Sequence, residues 1–251
     1  FIIFLFMDAI ILLNKPTGMT SFDAVARVRK TFHEKKVGHT GTLDPEASGL
    51  LIILLGRYTK FIPYSVCDHK QYEATFQMGL LSDTQDIWGQ IIERKHPSVY
   101  TQKQLDEAAK KFSGEIMQIP PMYSAIKKDG KKLYELARQG ITVEREPRKA
   151  VIENLEVHHL HDDIYSLKAS VSSGTYIRTL IQDYAESLGE YAVMTSLVRT
   201  GIEDITLDEA VTMEELGSEK GIVSPMRILN PAWPLVETDC EADIRNGKRI
   251  F

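Results

Sequence analysis

The chain has 251 residues, 43% of them hydrophobic, and can therefore bury the core of one large domain or one and a half. Its formal net charge of −5 disfavours binding of nucleic acid through overall positive charge. The two cysteines, Cys67 and Cys240, are far apart and outside any CxxC pair, which indicates neither a disulfide framework nor a zinc site and fits a reducing cytosol.

The opening residues 1–6 are strongly apolar, but Asp8 interrupts the run and no Lys or Arg precedes it. This pattern indicates neither a secretory signal nor a membrane span. Met7 is a plausible start, so we expect residues 1–6 to be an N-terminal extension.

Hydrophobic patterning predicts strands and helices without an internal repeat. The first strand is predicted at 8–13, and Ser21 has the character of an N-cap. The helix that follows places Val25, Val28 and Phe32 on one face, as expected for an amphipathic helix packed on a core.

Residues 38–49 place one carboxylate, Asp44, in a loop bounded by glycines. Glycine permits backbone angles that a side chain would forbid, and Pro45 prevents a helix from running through Asp44. The apolar run 50–55 follows and predicts a strand buried on both faces. Asp44 is thus expected to lie just before the start of a core strand. A tight turn without a chemical role explains the Asp-Pro pair equally well from spacing alone.

The second half of the chain contains more strands than helices. Further strands are predicted at 72–78, 87–94, 152–157 and 165–171. One helix is predicted after the capping box of Thr101 and Gln104, and another between Ile177 and Gly189. Hairpins instead of strict strand-helix-strand alternation predict an α+β fold with a mostly antiparallel sheet.

Five sequence blocks resemble, in order, the motifs of the TruB family of tRNA pseudouridine synthases. The catalytic motif is matched by Gly-His-Thr-Gly-Thr-Leu-Asp-Pro, followed by Gly-Leu-Leu. The blocks are residues 13–21, 38–51, 70–74, 121–140 and 174–180. Ordered agreement over most of the chain makes a chance match a poor explanation.

The resemblance implies an α+β pseudouridine-synthase fold with a mostly antiparallel mixed sheet flanked by helices. It implies a catalytic domain at 7–233 with a basic, thumb-like RNA-gripping insertion at about 123–149, and the beginning of a truncated PUA domain at 234–251. The implied activity is isomerisation of uridine 55 in the T loop of tRNA, on a flipped-out base, without cofactor or metal. The implied protein is a cytoplasmic, stand-alone bacterial type, a monomer that needs only tRNA, through its T arm, as partner, and neither a membrane nor an obligate protein partner.

A catalytic carboxylate in a dry pocket needs a fixed cation beside it, because burial disfavours the charged form. Arg178 is the candidate for Asp44, since a guanidinium is always charged and forks onto a carboxylate. The resemblance assigns the same pair. Without it, Arg178 would fit a surface position at the start of a helix equally well. Contact between two residues so far apart in sequence is a strong structural prediction.

The resemblance assigns the other site residues. Tyr72 is implied to stack on the flipped base and assist proton transfer, Leu197 to line the pocket, and His39 to fill the vacancy left in the RNA. Lys15 and Tyr176 are implied to support the active-site loop. Alone, an aromatic residue in a strand is usually part of the core.

Basic residues in the insertion are expected to close on the T arm, with Gly130 and Gly140 as hinges. They are Lys127, Lys128, Lys131, Lys132, Arg138 and Arg148. Clustered positive charge can form a local RNA-binding surface on an acidic protein, although ordinary solvent-exposed surfaces explain such clusters too.

Two other groupings are interpreted as structural. The histidine-rich segment 158–163 lacks ordered ligand spacing, so no metal is expected there. Asp83 and Asp86 fit a turn, although Asp86 also matches a family motif position. Two alternative functions stay open: a non-catalytic tRNA-binding or RNA-folding protein, and a nucleoside or glycoside hydrolase. The hydrolase needs a second acid near Asp44, and the loop supplies only Glu46.

Overall fold

The computed structural model describes residues 8–232 and the isolated positions 240, 242 and 246. The expected extension at 1–6 lies outside these residues, as does the segment 234–251 apart from those three positions. In the part of the chain that is described, no helix is long and apolar enough to cross a membrane.

The described chain contains strands and helices in mixed order. The strands are β1 (Ala9–Lys15), β2 (Val37–His39), β3 (Ser48–Leu55), β4 (His69–Met78), β5 (Leu80–Ser82), β6 (Ile91–Arg94), β7 (Gly114–Gln118), β8 (Lys127–Lys128), β9 (Lys131–Lys132), β10 (Arg148–His161), β11 (Ile164–Ser172), β12 (Ala192–Ile202), β13 (Ile205–Thr206) and β14 (Ile222–Val223). The α-helices are α1 (Ser21–Phe32), α2 (Gln102–Lys110), α3 (Leu133–Ala137) and α4 (Ile177–Ser187). Short 3₁₀ helices cover Gly56–Tyr64, Leu207–Glu209 and Pro225–Arg227.

Ten of the strands form one sheet in the order β14-β1-β3-β12-β4-β11-β10-β7, with β2 paired to β3 and β13 to β12. The pairing of β12 with β3 is parallel, whereas the other described pairs within this sheet are antiparallel. The predicted α+β class with a mostly antiparallel sheet is therefore confirmed. The parallel junction, where Val198 faces Ser48 and Arg199 faces Gly49, lies directly after the loop that carries Asp44.

Strand β3 is buried on both faces, as its uninterrupted apolar run predicts. One face of β3, formed by Leu51, Ile53 and Leu55, packs in a cluster with the inner face of α1. The opposite face packs in a second cluster with the 3₁₀ helix Gly56–Tyr64. All residues from 50 to 55 are fully buried. A strand packed on both sides is a rigid support for the loop before it.

Helices α2 and α4 cover the other half of the sheet. Tyr184 of α4 packs edge-on to Phe76 of β4, with ring centroids 6.3 Å apart, and its hydroxyl donates to the carbonyl of Leu105 in α2 (3.1 Å). The capping box of Thr101 and Gln104 at the start of α2 is confirmed. These contacts fix the axis of α4, whose first turn carries Arg178.

The cap of α1 was predicted one residue too late. Thr20 is the N-cap: its hydroxyl accepts from the Asp23 amide (3.0 Å), while the Asp23 carboxylate accepts from the Thr20 amide (2.9 Å). Ser21 lies inside the helix, and its hydroxyl is therefore available for a tertiary contact.

The predicted strand at 87–94 begins only at Ile91. Asp83 and Asp86 take the backbone donors that a strand would use: the Gln90 amide donates to Asp83 (2.7 Å) and the Trp88 amide to Asp86 (3.2 Å). The turn-stabilising role predicted for both aspartates is confirmed.

Candidate active site

The loop between β2 and β3 is fixed on both sides of Asp44. The Ser21 hydroxyl accepts from the Leu43 amide (2.9 Å) and donates to the Leu43 carbonyl (3.2 Å). The Lys15 ammonium donates to the Pro45 carbonyl (3.2 Å), and to the carbonyls of Pro16 and Met19 (both 2.8 Å). Bonds from two different elements therefore hold the residues before and after Asp44.

Arg178 contacts Asp44, as predicted. Arg178 Nε lies 2.9 Å from Asp44 Oδ2, and the two side chains are 5% and 44% exposed. Arg178 is buried, so its interpretation as a surface residue was wrong. Its Nη1 donates to the Thr84 carbonyl (2.8 Å) and its Nη2 to the Tyr123 carbonyl (2.9 Å), which orients the guanidinium fork. A substrate can reach Asp44 from the solvent side while the cation stays fixed behind it.

A second carboxylate, Asp86, lies on the other side of Arg178. Its Oδ2 is 3.9 Å from Arg178 Nη1, and its Oδ1 accepts from the Thr84 hydroxyl (2.6 Å). Burial raises the pKa of Asp86, against the opposing effect of these hydrogen bonds and of Arg178. The loop supplies only Glu46 as a second acid, whereas the fold brings a further acid, Asp86, to the arginine that binds Asp44. Proximity of 84–86 to 178 arises from the tertiary fold, and spacing within the loop could not reveal it.

Tyr72 and Leu197 lie on neighbouring strands and face the same side of the sheet. In the register of β4 and β12, Ala74 pairs with Leu197 and Tyr72 with Arg199. Tyr72 and Leu197 belong to the same buried cluster as Leu43 and Ala47 of the loop that carries Asp44. The structure thus brings these two predicted residues to the base of the loop.

Tyr176 positions the start of α4 through its backbone. Its amide donates to the Gln118 side chain (2.9 Å), and its carbonyl accepts from the same side chain (3.1 Å). Burial raises the pKa of the Tyr176 phenol. Arg178 lies two residues further on, so these bonds also fix the position of its guanidinium.

His39 ends β2 and is half-buried at the beginning of the loop that carries Asp44. Its ring meets the ring of Phe22 edge to face, with centroids 5.9 Å apart and an interplanar angle of 82°. Burial, together with the charge of Arg199, lowers the pKa of His39. The imidazole is therefore mainly neutral at pH 7.

Arg199 supports the loop, and sequence reasoning missed it. It is 1% exposed, its Nε donates to the Leu50 carbonyl (2.7 Å), and its Nη2 donates to the Gly41 carbonyl (3.1 Å). Gly49 is required beside it, because a Cβ there would lie 2.3 Å from the Arg199 carbonyl oxygen. An arginine two residues after Leu197 in an apolar strand was the available signal.

The predicted RNA-binding residues lie apart from the loop. Lys127, Lys128, Lys131 and Lys132 form the β8–β9 hairpin, and Arg138 and Arg148 are exposed after it. The first residue of the insertion, Tyr123, provides the carbonyl that Arg178 binds. The base of the insertion therefore contacts the active-site arginine directly.

The buried ammonium of Lys15 makes the stability of the fold dependent on pH. Burial lowers the pKa of Lys15 from 10.5 to about 8, against the raising effect of Glu46 and Asp44. Between pH 8 and 10.5 the unfolded lysine holds more protons than the folded one, so stability rises with pH in this window. We expect the free energy of unfolding of the parent, relative to that of Lys15→Met, to rise by up to roughly 3 kcal/mol between pH 8 and pH 10.5. Urea denaturation of both proteins at several pH values measures this, and a constant difference would contradict it.

Among the described residues, no group of three or more His, Cys, Asp or Glu side chains is arranged to hold a metal ion. The histidines of 158–163 make local contacts instead: His159 Nε2 lies 2.8 Å from the Asp162 carbonyl, and His161 Nδ1 lies 3.2 Å from the Asp162 carboxylate.

Comparison with known proteins places this geometry in a family. The profile of the TruB family pseudouridylate synthases (N terminal domain) matches residues 29–177. A tRNA pseudouridine synthase B of Bacillus pumilus (strain SAFR-032) is 44% identical over 256 residues, covering 96% of this chain and 82% of that protein. A protein of the same name from Azoarcus sp. (strain BH72) is 43% identical, covering 92% and 78%.

Among solved structures, a chain in the crystal structure of a Cbf5-Nop10-Gar1 complex matches with a TM-score of 0.65 and 29% identity, covering 83% of this chain and 53% of that one. This chain thus spans about half the length of that relative. A chain of an H/ACA RNP bound to a substrate RNA containing 2'-deoxyuridine matches with a TM-score of 0.61 and 26% identity. On the profile match and the identity to relatives over most of their length, the chain belongs to the TruB family of pseudouridylate synthases.

Proposed function

We propose that this protein isomerises uridine to pseudouridine at position 55 in the T loop of tRNA. The Asp44–Arg178 pair is the observation that carries the proposal: a half-exposed carboxylate on a rigid loop, held by a buried guanidinium. Membership of the TruB family, and the names of the relatives from Bacillus and Azoarcus, support tRNA as the substrate.

The reaction breaks the bond between uracil N1 and ribose C1', turns the base, and joins C5 to C1'. The C5 proton is lost and N1 gains one, so no oxidant or energy source is required. A carboxylate suffices as the reactive group, whether it attacks the sugar, attacks the pyrimidine ring or deprotonates the sugar. Arg178 stabilises negative charge on Asp44 and keeps it oriented, which serves all three routes.

The side chains near the loop that carries Asp44 suit a flipped uracil. Tyr72 supplies an aromatic ring against which the base stacks and a hydroxyl for proton transfer at C5. Leu197 provides an apolar surface that excludes water. His39 fills the place that the uridine leaves in the RNA stack. Tyr72 and Leu197 lie in the same cluster as Leu43 and Ala47, on the two sides of Asp44, and this proximity supports these roles.

The basic insertion grips the T arm. Its lysine hairpin is exposed and positively charged on a chain of net charge −5, so it provides a local field for phosphates. Because Arg178 binds the Tyr123 carbonyl, closure of the insertion on RNA is linked to the position of the catalytic pair. The protein acts as a monomer in the cytoplasm and needs no protein partner.

The test uses an unmodified tRNA transcript tritiated at uridine C5. We expect tritium release from this transcript, and no release from a transcript in which the target uridine of the T loop is replaced by cytidine. Release of free uracil would favour a hydrolase instead. Tight binding without tritium release or uracil would favour a non-catalytic RNA-folding protein.

A further inference from the structure

Phe22 is a large aromatic residue that the fold leaves in solvent beside the catalytic loop. It is 69% exposed, whereas the other large apolar residues of α1 are buried against the sheet. Its neighbour Ser21 is 1% exposed and bonded to Leu43, the residue before Asp44. The ring is therefore held near the active site by a rigid backbone, although it contributes little to the core.

Phe22 and His39 together form an aromatic corner. Their rings meet at 82° with centroids 5.9 Å apart, so the face of one ring adjoins the edge of the other. An unpaired base can stack on the open face of such a corner, because every base offers a π-face to an aromatic side chain. The lowered pKa of His39 keeps its ring uncharged at neutral pH, which favours stacking.

An exposed cation, Arg29, extends this surface along α1. Arg29 is seven residues after Phe22 on α1, which places the two side chains on the same helix face. Arg29 Nη2 donates to the Val37 carbonyl (3.2 Å), at the opposite end of β2 from His39. The acidic neighbour Asp23 is occupied by the capping box with Thr20. Aromatic and cationic groups in one row match a base and its phosphate.

We propose that Phe22 and His39 form a stacking site for one unpaired nucleotide of the RNA substrate, other than the target uridine, and that Arg29 contacts its phosphate. The inference rests on the proposed function, which supplies the RNA. It adds Phe22, on the side of α1, as a base-stacking residue beside the proposed position of His39 in the RNA.

The first measurement is binding of a fluorescent T-arm stem-loop to Phe22→Ala and Phe22→Trp. We expect alanine to weaken binding by between about 5-fold and about 100-fold, and tryptophan to bind as the parent does. Phe22→Ala should fold, because alanine is a strong helix former at an exposed position. Leu160→Ala, at a residue 50% exposed near the end of β10, is the matched control and should not change affinity.

Stem-loops with one abasic nucleotide at a time identify the stacked base. The loss of affinity caused by Phe22→Ala should disappear when the RNA is abasic at one position other than the target uridine, as in a double-mutant cycle. Arg29→Gln should also lower the slope of log affinity against log salt by about 0.7, the value for one contact with single-stranded phosphate.

Unchanged affinity of Phe22→Ala, or a penalty that persists on every abasic RNA, would overturn the stacking site. If the parent makes pseudouridine but Phe22→Ala binds normally, only this inference fails. If the predicted binding pattern holds and no pseudouridine forms, the proposed reaction fails and the stacking site stands.

Discussion

Asp44→Asn is expected to lower the single-turnover rate of pseudouridine formation by on the order of 10⁴-fold or more, with tRNA affinity nearly unchanged. Asparagine keeps the shape of the side chain but cannot act as nucleophile or base at neutral pH. The loop itself should stay in place, because Ser21, Lys15 and Arg199 hold it through backbone groups. Tritium release under single-turnover conditions, beside a binding measurement, checks both parts.

Glu46→Gln is the matched control for this variant. Glu46 is an acid in the same loop, two residues after Asp44, and no contact with Arg178 is described for it. We expect its rate to fall less than about 10-fold, since only its charge near Lys15 is lost. Equal losses in the two variants would show that the loop needs its total charge and not Asp44 as a reacting group.

The sequence predicted the support of the site well wherever the signal was local. The uninterrupted apolar run at 50–55 could be satisfied only by burial on both faces, and β3 is buried in this way. The capping box at Thr101 likewise fixes the start of α2 within a few residues of chain. The Asp44–Arg178 contact was predictable for a different reason: a catalytic carboxylate was expected to have a cation beside it, and the family motifs indicated which one, although Asp44 is half-exposed.

Two boundaries were predicted wrongly because local side-chain hydrogen bonds to backbone amides decided them. Thr20 and Ser21 are both good caps, but the capping box with Asp23 selects Thr20, and Ser21 inside the helix bonds to Leu43 instead. The strand that ends at Arg94 is shorter than predicted. Asp83 and Asp86 accept hydrogen bonds from backbone amides that the predicted strand would have used for pairing with a neighbouring strand. Periodicity does not encode this competition.

The contacts of Arg199 and Asp86 could not be found from spacing, because their partners come from other parts of the chain. Arg199 binds carbonyls of Gly41 and Leu50, on both sides of Asp44, and these meet β12 only through the parallel junction with β3. Asp86 reaches Arg178 only because the turn after β5 packs against α4. The Asp44–Arg178 pair is thus supported by two charged residues whose contacts appear only in the fold.

Arg178→Lys should lower the single-turnover rate by about 10²- to 10³-fold while RNA binding persists. The guanidinium directs Nε to Asp44, Nη1 to Thr84 and Nη2 to Tyr123, and one ammonium cannot reproduce this fork. The positive charge remains, so Asp44 keeps a counter-ion but loses its orientation. A lysine variant with the parent rate would mean that charge alone matters.

Arg178→Met separates the structural contribution of the arginine from the catalytic one. It removes the charge from a site where the arginine side chain is 5% exposed, and it leaves Asp86, only 16% exposed, without its cation. Removal of one partner from a buried pair costs about 3–5 kcal/mol, so urea denaturation should show a loss of that size. Arg57→Met is the control: Arg57 binds Asp8, but its side chain is 83% exposed, and about 1 kcal/mol or less should be lost.

Because Arg178 also holds the Tyr123 carbonyl, the methionine variant should in addition free the base of the insertion at about 123–149. We therefore expect faster amide hydrogen exchange in residues 123–126 of this variant than in Arg178→Lys.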